Sequence, residues 1–159
     1  MDKTTEADEW LMGQVALGKC EYLETLLRRY ASPLLTYIER MVGNHHRSEE
    51  LFQEVFFTVW LKRKQYKFPK RFRSWLYTIA ANRCRQDYRK AKLATTSIDQ
   101  APDMVPAAVG GFPVEAAIKT EHSVIVAQAV TQLPQQQRTV VVLRIWNGLS
   151  YAEIAEVLR

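Results

Sequence analysis

The stretch from Leu93 to Pro113 constrains this chain more than any other. It places Pro102, Pro106, Pro113, Gly110 and Gly111 among small residues, with little helical pattern. About twenty residues of that kind are too long and too rich in proline for an internal loop of a compact domain. The chain is therefore expected to build one unit from residues 1–92 and another from 114–159, joined by a flexible linker at 93–113. At 159 residues with 47% hydrophobic content, it has enough apolar material for a core in each.

Both units read as helix, and no run of period-two alternation stands out. Tyr22, Leu23, Leu26, Leu27 and Tyr30 follow the i, i+3, i+4 spacing of an amphipathic helix. Ser32-Pro33 has the form of a cap followed by a first helical residue, which allows a bend before Leu34, Tyr37, Ile38 and Met41 resume the stripe. Gly43-Asn44 ends it. Ser48 offers a cap for a helix bearing Leu51, Phe52, Val55, Phe56, Val59 and Trp60. After Pro69 another helix begins near Arg71, with Phe72, Trp75, Leu76, Ile79 and Ala80 inward. In the second unit a helix reaches Leu133 and Pro134 opens the next, which stops at Asn147-Gly148. Ser150-Tyr151-Ala152-Glu153 is a capping box and starts a third, short helix. The fold class expected is all-α, in two small helical domains.

Charge is distributed unevenly along this frame. Lys62 to Lys92 holds twelve basic residues and a single acid, Asp87, interleaved with Tyr66, Phe68, Phe72, Trp75, Tyr77 and Tyr88. Removing it from the chain's 22 basic and 17 acidic residues leaves 10 and 16, so the remainder is acidic. Such concentration presents one face to a polyanion, most commonly nucleic acid. Rings among the cations add a surface on which unpaired bases stack. At 100° per residue, Arg71, Thr78, Asn82, Arg85 and Arg89 fall within an arc of about 60°, roughly opposite the apolar stripe. That row suits a phosphate backbone, with the Asn82 amide reading a base edge or holding a phosphate. The loop Tyr66-Lys67-Phe68-Pro69-Lys70 is placed to cradle an extruded base. The plainer reading makes the aromatics core and the cations solubilising; twelve cations against one anion exceed what solubility requires.

Other classes find less support. No apolar run approaches the roughly 20 residues that span a bilayer. The acidic, polar Met1 to Glu9 segment is wrong for a secretory or transit peptide, so a cytoplasmic protein is expected. Cys20 and Cys84 stand far apart, outside any metal or disulfide spacing, and His45, His46 and His122 lack the partners of a metal site. No cofactor is expected. A nuclease holding Mg²⁺ on Glu49, Glu50 and Glu54 would want a further converging carboxylate or histidine, and none is apparent.

Three ordered blocks carry a resemblance. Glu49-Glu50-Leu51-Phe52-Gln53-Glu54-Val55-Phe56-Phe57-Thr58-Val59-Trp60 resembles the acid-acid-Leu-x-Gln-Glu-x-Phe-x-x-x-Trp segment in region two of the extracytoplasmic-function (ECF) sigma factors of bacterial RNA polymerase. Phe72-Arg73-Ser74-Trp75-Leu76-Tyr77-Thr78-Ile79-Ala80-Ala81-Asn82 is similar to that family's Phe-x-x-Trp-Leu-x-x-Ile-Ala-x-Asn. Leu133-Pro134 through Arg138, Leu143-Arg144 and Gly148-Leu149-Ser150-Tyr151-x-Glu153-Ile154-Ala155 resemble the start of region four. The resemblance spans nearly the whole chain beyond its first residues.

It implies a protein that binds core polymerase, recognises a promoter and helps open it, while polymerase performs the covalent chemistry. Glu50, Leu51, Gln53, Glu54 and Phe57 become the candidates for docking on a coiled coil of the largest polymerase subunit. Tyr66, Lys67, Phe68, Lys70, Arg71, Arg73, Thr78, Asn82, Arg85 and Arg89 become the candidates for the −10 element and the displaced strand. Ser150, Tyr151 and Arg159 would belong to a partial −35 helix-turn-helix. An anti-sigma factor is a partner expected by resemblance alone. Three departures stand out. Glu50 replaces the usual Asp; Gln86 stands where an acid is common, with Asp87 next to it; and the sequence stops at Arg159, where the recognition helix should follow. On that reading the −35 element would be bound weakly. The alternative is a helix-turn-helix regulator that binds duplex DNA without polymerase; the Glu49 to Trp60 block argues against it.

Overall fold

The computed structural model describes residues 6–96 and 121–159. These form seven helices: α1 (Asp8–Ala16), α2 (Glu21–Val42), α3 (His45–Leu61), α4 (Phe72–Thr96), α5 (Glu121–Thr131), α6 (Gln135–Ile145) and α7 (Tyr151–Leu158). A 3-10 turn, Arg63–Gln65, follows α3. No strand occurs among the described residues.

Periodicity did not announce α1, which is too short to display much of it. The helix buries Leu11, Met12 and Val15. Its first turn is fastened by Asp8, whose carboxylate accepts from the Arg29 guanidinium and the Tyr30 hydroxyl. Burial, and then the neighbouring Asp8, raise the Tyr30 phenol far above its ordinary pKa, which keeps it a donor.

α2 runs unbroken through Pro33, where the sequence allowed a cap and a bend. Leu26, Tyr30, Leu34, Tyr37, Ile38 and Met41 form a continuous buried face on both sides of the proline. Apolar packing along that face outweighs the missing N–H and the ring's crowding of the preceding turn. Gly43 ends the helix in the left-handed region at φ 75°, and its N–H reaches the Glu39 carbonyl at 2.8 Å. The cap of α3 is Asn44, whose Oδ1 accepts from the Arg47 N–H at 2.9 Å. Ser48, expected in that role, lies a turn inside the helix, and its hydroxyl donates to the Asn44 carbonyl at 2.7 Å. The extended backbone that a cap needs is available directly after Gly43, not at Ser48.

α4 starts at Phe72, whose N–H is 3.3 Å from a Glu9 carboxylate oxygen. An acid from α1 thus serves the positive end of α4. The helix continues through Leu93, into the expected linker; residues 97–120 lie outside the described part of the chain. Further on, Pro134 sits at the cap of α6, and Gly148 turns the chain at φ 63°. The Ser150–Glu153 capping box starts α7.

α1 to α4 bundle around Leu34, Ile38, Leu51, Val55, Phe72 and Leu76. The second unit buries Val142, Leu143, Leu149, Ile154 and Val157. It also lies on the first, α6 against α2 and α7 against α4.

Candidate protein and nucleic-acid interfaces

α3 has two faces because its apolar and polar residues each repeat at helical spacing. Leu51, Val55, Phe56 and Val59 point into the bundle. Glu50, Gln53, Glu54 and Phe57 form the opposite stripe and, with Arg47, line an open depression of about 560 Å³. Phe57 is 62% exposed, a large apolar side chain held in water beside two carboxylates. Leu51, by contrast, is 1% exposed. Its expected place on the docking surface is corrected to the core, since position 51 falls on the side of α3 that meets the other helices.

Arg47 ties this acidic face to α4. Its guanidinium reaches Glu50 at 2.7 Å, Asp87 at 2.6 Å and Glu54 at 3.4 Å. The Glu50 hydrogen bond first, then Asp87 against the cost of burial, raises its pKa further. Arg83 adds a second tie, with Thr58 at 2.8 Å and Glu54 at 3.8 Å. So the one acid in the basic segment serves a structural pairing, and Arg83, also basic, faces α3. A signal for Arg47 was present at i, i+3 from Glu50; Asp87 is forty residues away, and nothing local announces that pair.

The other side of α4 and the loop before it carry the cations. Lys67, Lys70, Arg71, Asn82 and Arg89 are exposed, and Phe68 stands 63% exposed at the loop tip. Arg85 lies beside Asn82, donating to its Oδ1 at 3.0 Å, so the two act as one patch. Thr78 is half-buried and donates to the Ser74 carbonyl at 2.8 Å. Tyr66 is corrected: at 6% exposure its ring packs on Trp75 and Phe72, centroids 5.3 and 6.3 Å away. Its hydroxyl donates to the Lys70 carbonyl, fixing the loop that presents Phe68. Phe68 is therefore the exposed ring of this loop, and Tyr66 fastens the loop through the Lys70 carbonyl.

Arg71 and Arg73 do not stand with the rest of the patch. Arg73 donates to the Asn147 carbonyl, and Arg71 pairs with Glu153 at 3.5 Å. In the second unit, Ser150 is occupied in capping: its Oγ accepts from the Glu153 N–H at 3.3 Å, and its N–H donates back to the carboxylate at 2.8 Å. Burial raises the Glu153 pKa, but the Ser150 donors, Arg73 and Arg71 outweigh it and leave the group below its ordinary value. Tyr151 is exposed with the Arg144 guanidinium 4.9 Å over its ring, and Arg159 is exposed. Glu50 and Glu54 both pair with Arg47, at 2.7 and 3.4 Å. Among the described residues no three His, Cys, Asp or Glu side chains gather as a metal site.

Known protein families match the chain in two ordered segments. Residues 26–93 match the Sigma-70 region 2 family, and residues 123–159 match Sigma-70, region 4. The chain is 29% identical over 154 residues to the ECF RNA polymerase sigma factor SigW of Bacillus subtilis, covering 91% of this chain and 81% of SigW. It is 26% identical over 163 residues to the RNA polymerase sigma-H factor of Pseudomonas aeruginosa, covering 98% and 84%. The solved structure of CnrH in complex with the cytosolic domain of CnrY has the same fold, with a TM-score of 0.69 at 23% identity over 96% of this chain and 83% of that one. With both sigma modules in order, and sigma-factor relatives matched over more than four-fifths of their length, the chain belongs to the ECF sigma factors, which direct core RNA polymerase to promoters.

Proposed function

We propose that the two faces of the first unit divide the work of initiation between them. The α3 stripe of Glu50, Gln53, Glu54 and Phe57 docks on a basic, partly apolar surface of core polymerase. Lys67, Phe68, Lys70, Arg71, Asn82, Arg85 and Arg89 hold the −10 element and the displaced strand, with Arg73 and Thr78 at the margin. Phe68 supplies the stacking that an extruded base loses on leaving the duplex, about 1–3 kcal/mol. α5 to α7 form the region-four unit, with Tyr151 and Arg159 directed to the −35 element. The units are 1–92 and 114–159, with the linker between. The protein performs no covalent chemistry, works in the cytoplasm and is held in check by an anti-sigma factor. Among the described residues no helix is long and apolar enough to cross a membrane.

The observation that carries this reading is the opposed chemistry of adjacent helices. An acidic face with an exposed Phe57 and a cationic face with an exposed Phe68 sit on one bundle. Gel filtration with core polymerase tests it: the chain co-elutes with core and lets core retain a forked −10 DNA. Failure of the folded chain to co-elute would leave a DNA-binding module and restore the regulator alternative.

A further inference from the structure

We infer that Glu9, on α1 and outside both candidate faces, is a positioning residue for strand capture: by holding the Phe72 N–H it fixes the loop that presents Phe68. This rests on the −10 assignment above and adds to it a residue that touches no DNA.

Three connections converge on Phe72, where the loop joins α4. Its N–H is one of the four at a helix start that no intrahelical carbonyl reaches, and it donates to a Glu9 carboxylate oxygen at 3.3 Å. Its ring meets Tyr30 edge-on at 5.4 Å and Tyr66 at 6.3 Å. Tyr30 is itself tied to α1, donating to Asp8 at 2.5 Å. So α1 grips Phe72 twice, at the backbone directly and at the ring through Tyr30.

The loop closes on the same residues. Tyr66 donates its hydroxyl to the Lys70 carbonyl, and the Lys70 N–H donates to the Lys67 carbonyl at 2.8 Å. Phe68 stands inside that turn, 63% exposed, so its direction is set by the two ends of the loop. Burial first, then the Glu9 and Asp8 charges, raise the Tyr66 phenol above its ordinary pKa, which keeps it a donor to Lys70. α1 also packs against the 3-10 turn that leads into the loop. Both ends are therefore braced by one helix.

The sign of the effect separates positioning from simple charge. Glu9 lines a cleft of about 410 Å³ together with Arg71 and Arg73, both candidates for the strand. Removing a carboxylate there would, by charge alone, strengthen phosphate binding. Positioning requires the opposite, because loss of the acceptor loosens the first turn of α4 and the loop with it.

Two variants of the full chain test this. Glu9→Ala removes charge and acceptor together, whereas Glu9→Gln removes the charge and keeps an amide oxygen for the Phe72 N–H. With the chain bound to core polymerase, fluorescence anisotropy measures affinity for single-stranded −10 DNA. Glu9→Ala should weaken it about three- to tenfold, the size of one lost helix-cap contact, and Glu9→Gln should restore most of that. Co-elution with core should change in neither, since Glu9 is not part of the α3 depression. Phe68→Ala should weaken strand binding about 5- to 150-fold. On that background Glu9→Ala should add little, because its effect runs through Phe68. Tighter binding by Glu9→Ala, equal loss in both Glu9 variants, or losses that add in the double variant would overturn the positioning role. Strand binding unmoved by Phe68→Ala would sink the −10 assignment itself. A loss there with Glu9→Ala silent would sink the positioning role alone.

Discussion

Asp87 shows how one side chain changes meaning once the chain is folded. Arg85 and Arg89 flank it two residues away on either side, yet its carboxylate accepts from Arg47 at 2.6 Å across the α3–α4 contact, and both side chains are partly shielded. Asp87→Ala should lower stability by about 1 kcal/mol, as expected for a partly shielded pair, and thermal unfolding should fall by roughly 2–4 °C. An unchanged midpoint would reduce the pair to a surface contact. The family pattern marked Gln86 as the departure, with Asp87 beside it, but named no partner for that acid, because the pairing depends on tertiary contact. His45 is a second case. The Glu39 hydrogen bond outweighs desolvation and, with the Glu49 charge in addition, raises its pKa above the ordinary value of 6.5. A raised histidine stabilises fully below its unfolded value near 6.5 and loses that contribution as pH rises through the folded value. Between those values the wild type should lose stability relative to His45→Gln, as followed by denaturant titrations across pH 6 to 8.

At the scale of the element, α3 separates what the sequence states from what it leaves open. Its period was legible, but Leu51 and Phe57 both fell within a motif read as docking surface, and only packing sorts them. Leu51→Ala should cost about 2–5 kcal/mol and disrupt the bundle. Phe57→Ala should leave the melting curve nearly unchanged and abolish co-elution with core polymerase. Loss of folding in both variants would make Phe57 a core residue and sink the docking assignment. α2 teaches the same point from the opposite direction. Ser32-Pro33 is a sound local signal for a boundary, and a buried stripe running from Leu26 to Met41 overrides it. α1 was missed because nine residues with three buried positions give too little period to count.

At the scale of the molecule, the concentration of charge was fully legible and the use made of it only partly so. Of the basic segment, Arg83 turns to α3, Arg73 to Asn147, and Arg71 to Glu153, leaving Lys67, Lys70, Arg85 and Arg89 as the cations of the candidate face that engage neither α3 nor the second unit in these contacts. Reversing charge at Arg85 and Arg89 together should reduce the salt slope of promoter-strand binding by about 1 for each phosphate no longer neutralised. Anisotropy titrations at several salt concentrations measure this, and an unchanged slope would remove both residues from the interface. The packing of the second unit on the first had no signal in the sequence, since Asn147 and Pro33 lie 114 positions apart.

The two cysteines give the fold a ready-made reporter. Cys20 is exposed just ahead of α2, while Cys84 lies inside α4 with its thiol pushed up by burial to about 12. At neutral pH a maleimide dye should therefore mark the native chain at Cys20 alone, with no engineering. Slow appearance of a second label would then be a clock for the exposure of α4, read by mass spectrometry in the presence or absence of any partner.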